Sequence, residues 1–192
     1  MPDYRIEFVF RRVSPPLRLA LVQFWEQHRA DWTVCTRPPQ RRHQFTVDES
    51  HEARSLAILS NVACVAYTNT NQIAAVAWLK IAPMPVDSET PELIYFQRMY
   101  VSPEHRCVLL THRMIKAFHC GLINSALRSP QVKYLLAENA NAKLKTPIGR
   151  RFFVRLGFIF VGINNLGNEI WKMPLPMPSL RPVRSVFAPR LL

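Results

Sequence analysis

Arg106 and the five residues that follow it have the types and spacing of an anion-binding turn. The β-rich apolar run Leu93–Val101 precedes them, and Ser102-Pro103 ends that run because proline has no N–H for a sheet and restricts the residue before it. From about Cys107 the apolar residues take helical spacing. The first turn of a helix has free N–H groups and a partial positive charge, to which Arg106 adds a full one. Residues 106–111 are therefore predicted to bind an anion.

The elements that must position this turn alternate in type along the chain. Residues 4–13 alternate with the period of a strand, and Ser14-Pro15-Pro16 is typical of a helix start, here for residues 17–29. Residues 33–45 are predicted to be a basic loop and 49–60 a short helix. The remaining predictions are a hairpin at 62–67 and 73–81, strands at 131–137, 158–163 and 169–173, and a helix that begins after Thr146 and ends near Leu156.

Length and composition indicate one globular domain at 1–173 and a Pro-rich basic tail at 174–192. No apolar run is long enough for a membrane span, the four cysteines are scattered, and the N-terminus lacks the pattern of a signal peptide. We therefore expect a cytoplasmic protein without a metal site. Lys and Arg number 25 against 13 Asp and Glu, a formal net charge of +12, which favours an anionic partner.

Two stretches resemble the GNAT acyltransferases. Val101, Pro103 and Arg106 match the family's Val-x-Pro-x-x-Arg/Gln in type and spacing, and 151–158 (RFFVRLGF) resembles its R-F-Y-x-x-L-G-F. The resemblance covers roughly residues 55–173. It implies an α/β (α+β) fold with a mixed twisted sheet flanked by helices, in which the central strands splay apart. It also implies an N-acyltransferase that uses acetyl-CoA or another acyl-CoA.

The resemblance also implies where the cofactor would lie. In GNAT enzymes the central strand commonly bulges and exposes backbone N–H groups to the thioester and pantetheine, and the turn after it faces the pyrophosphate. Carried over by position, the cofactor-binding residues are Met99, Tyr100, Val101, Arg106, Cys107, Val108, Leu109, Leu110, Thr111 and Asn139.

This sequence departs from the family pattern at three functional places. Leu109 and Thr111 stand where small residues are usual, Gln97 replaces a strand glutamate, and Phe153 replaces a tyrosine that often protonates the thiolate. Acyl transfer to an amine still requires a proton acceptor and a proton donor. The residues that we nominate for catalysis instead are Glu138, Glu92 and Tyr100.

Three functions are compatible with these features. The preferred one is an acyl-CoA-dependent N-acyltransferase that acts on an amine acceptor. The second is a catalytically degenerate GNAT-like module that binds an acidic macromolecule. The third is an N-acyl amino acid or acyl-homoserine-lactone type synthase, whose acidic acyl carrier protein would suit the charge of +12. Nucleic acid is less favoured because the basic residues are dispersed.

Overall fold

The computed structural model describes residues 3–31, 61–83, 92–139, 141, 144–164 and 167–176. The loop predicted at 33–45 and the helix predicted at 49–60 lie outside these residues. Within the described residues, seven strands form one sheet in the order β1-β2-β3-β4-β5-β7-β6. They are β1 (Arg5–Phe8), β2 (Val62–Tyr67), β3 (Ile73–Pro83), β4 (Leu93–Val101), β5 (Tyr134–Asn139), β6 (Ile159–Ile163) and β7 (Glu169–Pro174).

The helices of the described residues begin where the sequence predicts. They are α1 (Pro15–Gln27), α2 (Val108–Ile123) and α3 (Pro147–Arg155), with a 3₁₀ turn at Pro103–His105 before α2. Ser14 caps α1, and its hydroxyl accepts a hydrogen bond from Leu17 N at 3.4 Å. Thr146 caps α3 in the same way and accepts from Gly149 N at 3.2 Å. No helix in the described part of the chain is long and apolar enough to cross a membrane.

The central strands are adjacent and parallel, as the fold prediction requires. Paired residues run from Ile94↔Tyr134 to Gln97↔Ala137, after which β4 continues to Val101 and β5 to Asn139 without pairing to each other. All other neighbouring strands are antiparallel. The predicted mixed sheet with central strands that part at their C-terminal ends is confirmed.

Two details of the strands differ from expectation. The register of β4 with β3 is unbroken from Ala75↔Val101 to Pro83↔Leu93, so the bulge expected in the central strand is not present on this side. Register shifts occur instead between β2 and β3 and between β6 and β7. The strand predicted at 131–137 begins only at Tyr134, because Val132 N donates to Ser129 O and closes a turn there.

Each face of the sheet has its own core. Side chains of β4 alternate between the faces, so Tyr95 packs on the α2 side with Leu110, Met114 and Phe118, whereas Tyr100 packs on the α1 side. The α1 core also contains Phe24, Trp25 and Trp78, so both aromatic residues of this helix are buried. The helices α1 and α2 therefore pack on opposite faces of β4, and the C-terminal end of β4 lies beside β5.

Ordered contacts continue past residue 173, where the predicted domain ends. Leu175 is buried in the α2-side core, and its N–H donates to Lys133 O at 2.7 Å. Pro176 O accepts a hydrogen bond from the guanidinium of Arg128, which is itself buried. Proline excludes a regular strand after Pro174, but single residues still dock on the core. The packed domain thus extends at least to Pro176.

This boundary predicts a sharp difference between two truncations. A chain that ends at Pro178 should melt within a few degrees of the parent. A chain that ends at Met173 loses the burial of Leu175 and strips Arg128 of its acceptor, at a cost of about 3–5 kcal/mol, which corresponds to roughly 10 °C in a domain of this size. Thermal unfolding followed by circular dichroism measures both; equal melting temperatures for the two truncations would contradict the docking of Leu175.

Candidate functional site

The gap between the ends of β4 and β5 presents backbone amides of β4. Ser102 N donates to Ala74 O at 3.0 Å, so Ser102 directs its amide across the β3–β4 ladder toward β3. Amide directions alternate along antiparallel strands, so Tyr100, two residues earlier, also directs its amide to β3. Met99 and Val101 direct theirs the other way, where the ladder with β5 has already ended. Of the three predicted backbone contacts, Met99 and Val101 face the gap and Tyr100 does not.

The start of α2 lies directly after this strand end. Cys107 is the N-cap residue; its Sγ accepts from Leu110 N at 3.4 Å, and its carbonyl accepts from Thr111 N at 3.2 Å. The amides of Val108 and Leu109 have no acceptor among the described residues, as is usual in a first helical turn. Their side chains are exposed, by 72% and 45%. Part of the predicted anion-binding turn, 108–109, is therefore open to a ligand.

Arg106 is engaged within the protein. Its Nε donates to Val101 O at 3.1 Å, and its guanidinium forms an ion pair with the carboxylate of Asp31. The hydroxyl of Tyr100 donates to the same carboxylate at 2.7 Å. These hydrogen bonds, first that of Tyr100, hold the pKa of Asp31 below its usual range, together with the positive charge of Arg106 and in spite of partial burial, which opposes the shift. Arg106 is at the predicted place, but its charge is already paired with the carboxylate of Asp31.

A second contact joins the same two parts of the chain. His28, which follows α1, lies 3.9 Å through Nε2 from Oε1 of Glu104, and its ring centroid lies 4.7 Å from that of Phe24. Asp31, Tyr100, Arg106, His28 and Glu104 together form what we call the Asp31 cluster. It ties the end of α1 to the turn before α2. Asp31 and His28 were not predicted as site residues, because no local pattern connects them to partners about seventy positions later in the sequence.

Glu138, nominated as a base, is partly buried, and both oxygens of its carboxylate accept hydrogen bonds. Its Oε1 accepts from Asn164 Nδ2 and Asn168 Nδ2, both at 2.8 Å, and its Oε2 accepts from Arg98 at 2.9 Å. Burial by itself raises the pKa of Glu138, but these hydrogen bonds and the charge of Arg98 outweigh it and lower the pKa. A carboxylate stabilised in its ionised form is a weaker proton acceptor. The hydrogen bonds of Glu138 link β4, β5 and the β6–β7 turn, so the geometry favours a structural role for this residue over a role as a base.

Asn139, nominated for cofactor binding, belongs to a buried group of hydrogen bonds around Glu169, which we call the Glu169 tie. Its Nδ2 donates at 3.0 Å to Glu169, which also accepts from Arg150 Nε at 2.7 Å and from Trp171 Nε1 at 3.2 Å. Burial raises the pKa of Glu169, but these donors, Arg150 first, bring it below its usual value. Glu169 was missed because a lone acid at the start of a strand carries no local signal of burial.

The other two catalytic nominations are placed apart from the gap or are engaged elsewhere. Glu92 is exposed and precedes β4, so the nine residues of that strand, about 30 Å of extended chain, separate it from the strand end at Val101. Tyr100 is 3% exposed and its hydroxyl is bonded to Asp31. Gln97 and Phe153, which replace the glutamate and the tyrosine of the family pattern, are also buried. Gln97 is 6% exposed, at the last pair of the β4–β5 ladder, and Phe153 stacks on Trp171 with ring centroids 4.8 Å apart.

The Glu169 tie predicts a pH-dependent loss of stability. Its pKa is lower in the folded chain, so its stabilising contribution is full above the unfolded pKa of about 4.3 and is lost as pH falls through the folded pKa. Glu169→Gln leaves Arg150 without its charged partner and should cost about 3 kcal/mol at pH 7. The difference in melting temperature from the parent should shrink at acidic pH. Glu92→Gln, at an exposed acid, is the matched control; an equal effect of both variants at pH 7 would refute the tie.

The likeness to solved structures identifies the fold. The chain aligns with a GNAT superfamily phosphinothricin acetyltransferase from Sinorhizobium meliloti in complex with acetyl-CoA at 14% identity and a TM-score of 0.54, covering 99% of this chain and 97% of that one. AAC(6')-Ib in complex with paromomycin and acetyl-CoA aligns at 14% identity and a TM-score of 0.54, covering 90% and 93%. Arabidopsis thaliana NAA60 in complex with acetyl-CoA aligns at 10% identity and 0.51, covering 90% and 98%.

No family model and no curated protein matches the chain by sequence, so the likeness rests on structure alone. At these identities the shared feature is the arrangement of helices and strands. The resemblance first indicated by Val101, Pro103, Arg106 and the 151–158 stretch is thus confirmed at the level of architecture. This chain has the fold of the GNAT acetyltransferases.

Proposed function

We propose that the chain binds an acyl-CoA in the gap between β4 and β5 and transfers its acyl group to an amine. The observation that carries this proposal is the placement of two sets of hydrogen-bond donors at one end of the sheet. The amides of Met99 and Val101 face the gap, and the first amides of α2 follow within ten residues. Structural neighbours that bind acetyl-CoA support it.

The donors have the chemistry that such a ligand needs. The amides of Val108 and Leu109, at the positive end of α2, suit a pyrophosphate. The amides of Met99 and Val101 suit the amide groups of pantetheine and the negative charge that develops on a thioester oxygen during acyl transfer. Bound acyl-CoA would supply an activated acyl group, and these residues would hold and orient it.

Proton transfer has less support from the side chains. Asp31, Glu138 and Glu169 are each held ionised by hydrogen bonds from neighbours. In the described part of the chain, no unpaired carboxylate faces the gap. A positioned base contributes about 10²–10⁴-fold to rate, so we expect slow transfer with the acceptor amine losing its proton to solvent. The rate should then rise with pH until the amine itself is deprotonated.

Because these carboxylates already accept hydrogen bonds within the protein, a second candidate function is also supported. A catalytically degenerate module would bind CoA through the same backbone amides and show no turnover. Titration and turnover therefore separate the two: heat with CoA and acyl transfer to a panel of primary amines supports the enzyme, and heat without transfer supports the binding module. No heat with CoA or acetyl-CoA at millimolar concentration would refute both.

Arg106 and Asp31 should have opposite effects on CoA affinity. Arg106→Ala removes a charge-assisted contact to phosphate worth about 1.5–3 kcal/mol and should weaken binding about tenfold or more. Asp31→Asn removes the competing carboxylate, frees Arg106 and should strengthen binding severalfold. Isothermal titration calorimetry of CoA measures both. Arg12→Ala, an exposed arginine beyond β1, is the matched control, and weaker binding by Asp31→Asn would contradict the competition.

Leu109 tests the route of the pyrophosphate to the helix start. Its exposed side chain stands over an amide that has no acceptor among the described residues. Leu109→Gly should leave CoA affinity unchanged or raise it, because the backbone can then approach the phosphate more closely, despite a cost of about 1 kcal/mol in helix stability. Calorimetry decides, with Leu19→Gly on the exposed side of α1 as the control for helix destabilisation. A tenfold loss of affinity in Leu109→Gly alone would show that the side chain itself binds.

A further inference from the structure

The net charge of the chain is confined to its second half. Residues 1–104 contain eleven Lys and Arg and eleven Asp and Glu, whereas residues 105–192 contain fourteen basic residues and two acids. Those two acids are Glu138, whose side chain is 9% exposed, and Glu169, at 1%. Both are hydrogen-bonded to arginines. Among the described residues from 105 onward, the surface therefore displays basic side chains and no exposed carboxylate.

The same half of the chain exposes most of the large apolar side chains. Ten such residues are exposed in the described part, and six of them lie on α3 and β6. On α3, Ile148 is 80% exposed and Val154 61%; on β6, the exposed fractions are 63% for Ile159, 45% for Phe160, 54% for Val161 and 63% for Ile163. Ile159 pairs with Lys172 and so lies on the opposite face of the sheet from Phe160, which pairs with Trp171, and Val161 is the extra residue at the register shift. We call Ile148, Val154, Phe160 and Ile163, with Arg151 and Arg155, the α3–β6 surface.

The α3–β6 surface combines apolar and basic side chains. Ile148, Arg151 and Arg155 are spaced at i, i+3 and i+7 and so share one side of α3. Phe160 lies on the same face of the sheet as α3, since its ring centroid is 5.3 Å from that of Trp171 and the Arg150 guanidinium lies 5.8 Å above it. Ile163 pairs with Glu169 on that face as well. Aliphatic groups and guanidinium groups are thus presented side by side.

Three kinds of partner could meet an apolar and basic surface, and two fit poorly. Nucleic acid would be met by stacking aromatic rings, but five of the six exposed apolar residues are aliphatic. An added β-strand, from another protein or a second copy, needs a continuous edge. The register shift between Phe160 and Gly162 interrupts the edge of β6 in its middle. A second copy would also bring a further charge of +12.

We propose that the α3–β6 surface binds peripherally to anionic membranes. A bilayer interface offers a partner for both kinds of side chain on this surface: negative headgroups for Arg151 and Arg155, and an apolar layer for the four apolar side chains Ile148, Val154, Phe160 and Ile163. The outer backbone groups of β6 stay hydrogen-bonded to water, since only the hydrocarbon core is dry. The neutral first half of the chain, which carries α1, faces away from the lipid charge.

Co-sedimentation with lipid vesicles tests this proposal on the full chain. The parent should bind vesicles made of equal parts phosphatidylcholine and phosphatidylglycerol, bind vesicles of phosphatidylcholine alone at least tenfold more weakly, and lose affinity as salt rises. Arg155→Gln should weaken binding to the anionic vesicles about fivefold, and the double variant Arg151→Glu, Arg155→Glu at least twenty-fivefold. Ile148→Ser with Ile163→Ser should cost about tenfold.

Matched substitutions in the neutral half separate this surface from general charge. Arg12→Glu and Leu19→Ser change an exposed basic and an exposed apolar residue outside the α3–β6 surface. They should leave vesicle binding within about twofold of the parent. Failure of the parent to sediment with anionic vesicles at low salt overturns the proposal, as does an equal loss in the control and surface variants. All variants alter exposed side chains, and unchanged circular dichroism confirms that each is folded.

Discussion

The parallel pairing of β4 with β5 ends after four residue pairs, and the architecture of the candidate site depends on that ending. Beyond Gln97 and Ala137 the two strands no longer satisfy each other's backbone groups. Buried backbone amides require partners, so a gap of this kind is either closed by side chains or reserved for a ligand. Here Arg106 closes part of it by donating to Val101 O. The amides of Met99 and Val101 face what remains.

Three ionised carboxylates hold the surroundings of the gap in place. Asp31 links the end of α1 to the turn before α2, Glu138 links β4 and β5 to the β6–β7 turn, and Glu169 links β5 and β7 to α3. Each accepts hydrogen bonds from groups on separate elements, so each orders several elements at once. The same bonds make these carboxylates poor proton acceptors. Rigidity around the gap is thus obtained at the expense of acid–base chemistry.

The distribution of charge follows the division of the fold. The first 104 residues supply the antiparallel strands β1 to β4 and α1, and they are neutral overall. The remaining residues supply α2, α3 and the strands on the other side of the gap, and they carry the whole excess of positive charge. Any anion that enters the gap therefore lies against the basic half. The field of that half favours both a phosphorylated ligand in the gap and an anionic surface outside it.

The sequence by itself determined the elements, because local rules govern them. Period-two and helical spacing, the caps Ser14 and Thr146, and proline after Val101 placed β4, α1, α2 and α3 within a few residues of their observed bounds. It also determined that free amides lie within the turn at 106–111, since a helix start after a strand has them whatever surrounds it. The two GNAT-like stretches, which follow each other in the order that the family has, extended the prediction from single elements to the architecture.

Only the tertiary structure decided which polar groups are free. Glu138 and Asn139 looked available in the sequence, but donors from Arg98, Asn164, Asn168 and the Glu169 tie reach them from distant segments. Asp31 looked like an ordinary acid, yet it holds Arg106, 75 residues away. Leu175 looked like tail and is core. Burial and hydrogen bonding across long sequence separations depend on how the elements pack, and local composition carries no record of that.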